Sequence, residues 1–425
     1  MQHELEQDKE STLVRILEWI IAAYLVFSIG CIWLLNIDSL FYKYNTVIQM
    51  LAYACIMLWV LLNSDGLRHI NGYSLIWTLI CVVCTFIPAM ANTDFILTAI
   101  NRCIIPVMLG LMIYIFVPYY IWGRVIDRIV NIIIIVSSIS LLFWVLGPAL
   151  RVIHPSKTIT FQWGKMKLAN SYFGLYYVPL WQTSTMIGLS SYRNCGSFTE
   201  APMFGFWLSI AYSLYRYKNK NRVSVIVVLL ASIMTSASMT AMFFVVIYEF
   251  ARYGLKIRRD GIKQLICLFI MLITSIIALV IINNMLTSKL ESGSGQVRSD
   301  HLKASFRLFK LSFPLGIGIG NEEMFHQYET FKQGMSIGLP ALFAQGGLGI
   351  TIITIYPMLY FLYRSVVLKK WGIIAFLIGF LFLNIVTTGQ LNSPFFFIFL
   401  MTLLYGDDLI CYFLHDDVDT LEYHF

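Results

Sequence analysis

Apolar stretches long enough to cross a bilayer recur along almost the whole chain, and they leave few folds open to it. A run of roughly 18 or more residues with few charges reads as a membrane-spanning helix, because a helix satisfies every backbone N–H and C=O without water. Runs of this character, some of them short, occupy residues 13–35, 46–63, 73–90, 95–117, 125–147, 202–217, 223–236, 239–251, 262–283, 339–363, 371–387 and 393–414. Only 12% of the residues are charged, about half the roughly 25% of a soluble domain. The expectation is one all-α, polytopic membrane domain over residues 1–425 with about twelve spans. A soluble enzyme and a nucleic-acid-binding module are excluded. The first run is too long for a signal-peptide core and lacks a small-residue cleavage site, so it reads as a span.

Charge sets the sides. With both termini in the cytoplasm, the inner turns carry Arg68, Arg124, Arg128, Arg216, Lys218, Lys220, Arg222, Arg252, Lys256, Arg258, Arg259, Lys263, Arg364, Lys369 and Lys370. The short outer turns carry only Lys43, a strong positive-inside asymmetry. The same asymmetry keeps 223–236 and 239–251 apart. Fused into one span, they would put the basic turns at 252–263 and 364–370 on opposite sides. The acidic segment 406–425 reads as a cytoplasmic tail with no chemistry.

Two outer loops, 148–201 and 284–338, are long, and loops of that length inside a compact domain are usually functional or disordered. The first is basic and aromatic, with Arg151, Lys157, Lys165, Lys167 and Arg193 against the single acid Glu200. Its apolar stretch 168–189, broken by Pro179, reads as interfacial or re-entrant. It ends in Arg193-Asn-Cys-Gly-Ser-Phe-Thr-Glu200-Ala-Pro202, an arginine and a glutamate seven residues apart at the lipid boundary. Charges there are costly without partners and mark a site for an anionic, membrane-anchored substrate.

In the second loop, Leu302, Phe306, Phe309 and Phe313 follow helical spacing beside Lys303, Arg307 and Lys310. That pattern fits a helix lying in the interface with its cations towards headgroups or phosphate. The following Gly316-Ile-Gly318-Ile-Gly320 is not preceded by the strand a nucleotide-binding turn requires, so it reads as close backbone packing. The eight cysteines lie mostly in apolar runs, and Cys81-Val-Val-Cys84 reads as small helix-packing residues.

The order of these motifs resembles the O-antigen polymerase and O-antigen ligase superfamily of bacterial glycan assembly. It comprises R-x-x-G-S-F-x-E-x-P, the polar junction Thr235-Ser-Ala-Ser-Met-Thr240, then Arg298 with the amphipathic helix, Pro314-Leu-Gly-Ile-Gly-Ile-Gly-Asn321, and Gln345-Gly-Gly-Leu-Gly349. The motif likeness covers about residues 190–405. It implies a GT-C-like fold and an outward-facing glycosyltransferase of the bacterial inner membrane, with no metal and no cofactor. The implied donor is a glycan on undecaprenyl diphosphate, extended into O-antigen, capsule or exopolysaccharide, and a chain-length regulator is an implied partner. Ligase-like members carry a His-Asn pair shortly before the glycine turn at the end of the second loop. Met335 and Ser336 stand there instead, which favours polymerase over ligase. A transporter or flippase of the same lipid-linked glycan is the rival from another class.

On that reading a guanidinium stabilises the charge that develops on the departing diphosphate. Arg193 and Arg298 are the candidates, with Lys303 and Arg307 as further phosphate contacts. Glu200 is the catalytic acid–base residue the motif implies; His326, His301 and Asp300 are other possible bases. A structural role stands beside each of these. Arg193 could pin the loop, Glu200 could serve a helix N-terminus, and His326 could be one solvated residue among Glu322, Glu323 and Glu329. Arg102, inside the fourth run, needs a polar cavity or an acid, and reads as lining the substrate path.

Overall fold

The computed structural model describes residues 11–64, 72–186, 189–218, 222–254, 293–330, 337–386 and 393–414. The expected span 262–283, the basic residues Arg68, Lys220, Lys256, Arg258, Arg259 and Lys263, the pair Met335 and Ser336, and tail residues 415–425 lie outside the described residues. The helices used below are α1 (Thr12–Phe27), α2 (Asn45–Leu62), α3 (Gly72–Ala91), α4 (Ile105–Phe116), α5 (Tyr119–Trp144), α6 (Ala201–Tyr217), α7 (Val223–Ser236) and α8 (Met239–Gly254). They continue as α9 (Gly293–Leu311), α10 (Glu322–His326), α11 (Leu339–Val367), α12 (Trp371–Val386), α13 (Pro394–Thr402) and α14 (Asp407–Leu414). The chain divides into two compact units. One comprises Met1–Leu79, Ile105–Ser238 and Asn392–Phe425; the other comprises Ile80–Ile104 and Met239–Leu391.

Among the described residues, five helical stretches are long and apolar enough to cross a membrane: Asn45–Leu62, Gly72–Ala91, Thr93–Phe116, Tyr119–Ala149 and Leu339–Val367. The chain is therefore a multi-pass membrane protein. The expectation of an all-α, GT-C-like bundle of about twelve spans is corrected, and the likeness to the polymerase–ligase superfamily falls with it. So do the polymerase, ligase and flippase readings, which need that architecture.

Two physical reasons account for the difference. An apolar run can be short and buried in protein rather than long and bathed in lipid. In α13 all nine residues are buried, and the helix packs on α4, where Gly110 leaves room for Met401. The shorter apolar helices Val223–Ser236, Met239–Phe250 and Trp371–Val386 are likewise below spanning length. Second, loop 148–201 forms sheet. Strands β1 (Lys157–Trp163), β2 (Lys165–Tyr172) and β3 (Tyr176–Pro179) pair antiparallel in that order, and β4 (Thr183–Met186) pairs with β5 (Leu189–Tyr192). The stretch expected to re-enter the membrane is thus made largely of strands.

β1 alternates Ile159 and Phe161 with polar residues, β3 supplies Tyr176, Tyr177 and Val178, and successive side chains of a strand point to opposite faces, so the sheet buries both of its faces. One face carries Ile159, Phe161, Ala169 and Tyr177 against Ile32 and Trp33. The other carries Tyr172, Tyr176 and Val178 against Phe143 and Trp144 at the end of α5. The sheet therefore caps one end of its unit.

The charges of the same unit gather towards the opposite ends of these helices. Glu18 of α1 is fully buried and accepts from Arg124 Nε at 2.8 Å, with Arg128 at 3.5 Å. Lys218 after α6 pairs with Asp127 at 2.7 Å, and the Tyr412 hydroxyl donates to the same carboxylate at 2.8 Å. Arg124, Arg128 and Lys218, expected as inner-turn charges, are thus tied into a network across α1, α5, α14 and the end of α6.

In the second unit α11 is broken at Gly347, whose φ of 60° and ψ of −153° fall in a region open essentially to glycine alone. The glycine-rich turn fills the break. Ile317 N donates to Ala344 O, Gly318 N to Gln345 O, Gly320 N to Gln345 Oε1, and Leu348 N to Pro314 O, at 2.8–3.0 Å. A break in an apolar helix is tolerated when its freed carbonyls and amides find partners of this kind. A Cβ on Gly347 would stand 2.2 Å from Pro314 O. Gly347→Ala should therefore cost about 3 kcal/mol or more of stability, read as a lower midpoint of thermal unfolding of the purified chain. An unchanged midpoint would show that the turn is not held this way.

Candidate functional site

The second unit carries an acid–base cluster assembled by α9 and the segment that follows the glycine turn. Helix α9 buries one stripe, Val297, His301, Ala304, Ser305 and Leu308, at the spacing of a single helical face. Ala304 and Leu308 pack with Phe325, Ile337, Ala341 and Ala344, which brings α10 and the first turns of α11 against the helix. Asn321 caps α10 by accepting from Met324 N at 3.0 Å. Beyond α10 the chain is stitched back to α9 at three points. Asp300 accepts from the Thr330 hydroxyl at 3.0 Å, the Arg307 guanidinium lies 5.1 Å from the Tyr328 ring centre, and Glu329 contacts His301.

Glu329 is the centre of this arrangement. Its side chain is completely buried and lies between two imidazoles, with Oε2 against Nε2 of the buried His301 and Oε1 against Nδ1 of His326. The His326 side chain is 32% exposed and so reaches solvent. A carboxylate only accepts hydrogen bonds, so His326, bonded to Oε1, must donate from Nδ1, while His301 Nε2 stands against Oε2 as a close contact. When neutral, His326 is then held as the tautomer whose Nε2 lone pair is free to take a proton. That is the carboxylate–imidazole order of a general base with its orienting partner.

The other expected site residues fall into three places. Arg298, Lys303 and Arg307 lie on α9 with the cluster; Arg298 stands one turn before His301 and is half-buried, while Lys303 and Arg307 are exposed. Arg102 lies in the π-helical turn Ile100–Ile104 and is half-buried.

Arg193 and Glu200 lie in the first unit, under the sheet cap. Arg193 donates from Nε to Ser236 O at 2.9 Å, from Nη2 to Ala237 O at 3.0 Å and from Nη1 to Gln182 Oε1 at 3.1 Å. These bonds cap the end of α7, where Ala237 holds a left-handed conformation with φ 48°. Glu200 accepts from Trp163 Nε1 at 3.0 Å. Near it, the Lys167 ammonium lies 4.3 Å from the Trp181 ring centre. Burial pulls the Lys167 pKa down, and the Glu200 charge partly offsets it. Burial also lowers Arg193 and pushes the Cys195 thiol up to about 12, so that thiol is not a nucleophile at neutral pH.

The sequence offers His326 as one of several candidate bases, and Glu329 only as part of its solvated surroundings. The His326–Glu329 spacing of three is a visible signal. The approach of His301, on another helix, is not. Among the described residues no group of three or more His, Cys, Asp or Glu is placed to hold a metal ion. No protein family, curated protein or solved structure matches the chain.

Proposed function

We propose that this chain is a membrane-embedded enzyme that uses His326 as a general base, oriented by Glu329, on a lipid-anchored substrate bearing phosphate. The observation that carries the reading is the buried Glu329 carboxylate between two imidazoles, one of which reaches solvent. A carboxylate costs several kcal/mol to bury and persists where its hydrogen bonds do something for it. Here it holds an exposed ring in one tautomer. His326 would take the proton from an attacking hydroxyl while Arg298, on α9 one turn before His301, meets developing negative charge on phosphate oxygen. The substrate class we propose is a polyprenyl-diphosphate-linked donor. The placement we propose is the bacterial plasma membrane with both termini cytoplasmic, supported by the basic residues around Arg124, Arg128 and Lys218.

The test is turnover. The purified chain in nanodiscs made from a bacterial lipid extract should release phosphate or diphosphate species visible by phosphorus NMR. His326→Gln should slow that release by about 10²–10⁴-fold with an unchanged unfolding midpoint. A wild-type chain that turns over nothing in the extract, or a His326→Gln variant at full rate, overturns the reading.

A further inference from the structure

Helix α9 has two faces, and the buried one does not account for the other. Away from the stripe that packs on α10 and α11 the helix exposes Leu302 and Phe306, and its last residue and the turn after it expose Leu311, Phe313 and Leu315; Phe306 is 65% exposed and Phe313 57%. Lys303, Arg307 and Lys310 run beside this row at spacings of four and three, all exposed. A helix with such charges is too polar to span a bilayer. Its phenylalanines and leucines form an apolar row of the kind that marks an interaction site when left in water. Its level is set by packing: the buried stripe rests on Ala341 and Ala344 in the first turns of α11, at one end of a 29-residue span-capable helix. An end of a spanning helix lies where hydrocarbon gives way to headgroups.

We infer that the outward face of α9 docks on the bilayer surface and selects anionic phospholipid headgroups. The exposed row enters the acyl boundary, and the three cations meet lipid phosphate. This is the division of labour of an interfacial amphipathic helix. The inference does not depend on His326 being a base.

A probe at position 306 tests it without disturbing the core. The full chain, carrying Phe306→Cys labelled with a polarity-sensitive dye in a Cys55→Ser, Cys84→Ser, Cys267→Ser and Cys411→Ser background, is placed in nanodiscs of phosphatidylcholine containing nitroxide-labelled phosphatidylglycerol or nitroxide-labelled phosphatidylcholine. The emission should be blue-shifted and quenched by headgroup-level nitroxide. Labelled phosphatidylglycerol should quench at a mole fraction at least about fivefold lower than labelled phosphatidylcholine, the effect of about one basic residue at an anionic surface. Lys303→Gln, Arg307→Gln and Lys310→Gln together should bring the two lipids level while leaving the blue shift. Equal quenching by both lipids in the unsubstituted helix overturns the selectivity. A probe that stays unquenched overturns the docking, and a blue shift seen only at high protein concentration assigns the face to a second copy of the chain instead.

Discussion

Arg193→Ala lowers the stability of the chain by about 3 kcal/mol, read as a drop in the unfolding midpoint of the purified protein. The guanidinium makes three hydrogen bonds, two of them to the carbonyls of Ser236 and Ala237 at the end of α7. The last carbonyls of a helix have no intrahelical partner, and burying them unpaired is costly. The neighbouring residue reinforces the same junction: Asn194 N donates to Thr235 O at 3.0 Å, and Asn194 Nδ2 to Thr235 Oγ1 at 3.1 Å. Arg193→Lys should recover only part of the loss, because one ammonium cannot reproduce the fork that reaches two successive carbonyls and Gln182. Ala237→Gly, placed in the Arg193→Ala background, should restore about 1 kcal/mol by removing the strain of a left-handed alanine. If Arg193→Ala instead kept its midpoint and lost only turnover, the capping account would be wrong and a ligand-binding role would stand in its place.

That junction also marks how far the sequence could be read. The sequence marks Arg193 as a charge that needs partners, and the run from Thr235 to Thr240 only as a polar junction between two short helices. Nothing in the spacing joined them, because the contact closes over 43 residues through backbone carbonyls that have no identity in sequence. Hydrophobicity showed that the protein is multi-pass. It could not tell α13, apolar because it is buried in protein, from a helix apolar because it faces lipid. The strands from Lys157 to Tyr192 were hidden for a related reason. Ile159 and Phe161 alternate with polar residues in β1, but Pro179 and the neighbouring apolar positions give the same composition as an interrupted membrane segment. On α9 the row Leu302, Phe306, Phe309 and Phe313 reads from sequence as the apolar face; Leu302, Phe306 and Phe313 are exposed, and Phe309 packs on the buried cluster. The buried stripe contains His301 and Ser305, which composition reads as polar. The Glu329 cluster was illegible on that account: a histidine on a buried stripe becomes informative only once the carboxylate it meets is known.

Glu329→Gln separates orientation from packing in that cluster and should have the largest effect on turnover. The amide is close in shape to the carboxylate, but it offers one acceptor and one donor in place of two acceptors. One imidazole must then accept from the amide rather than donate to it. If that ring is His326, its Nδ1 becomes the acceptor, its Nε2 carries the proton, and the lone pair that would take the substrate proton is gone. The expected result is a fall in kcat of about 10²–10⁴-fold with KM little changed, since substrate contacts are untouched. If the amide turns so that its donor faces His301, His326 keeps its tautomer but loses the carboxylate that stabilises its protonated form, and the rate still falls. Glu329→Ala should also lose about 3 kcal/mol of stability or more, because it leaves the buried His301 without its partner. The pair of variants therefore divides the two roles: glutamine removes the proton relay and largely keeps the fold, while alanine removes both. A Glu329→Gln chain with unchanged kcat would mean that the carboxylate only glues α9 to the segment after α10, and the acid–base reading of His326 would have to be abandoned.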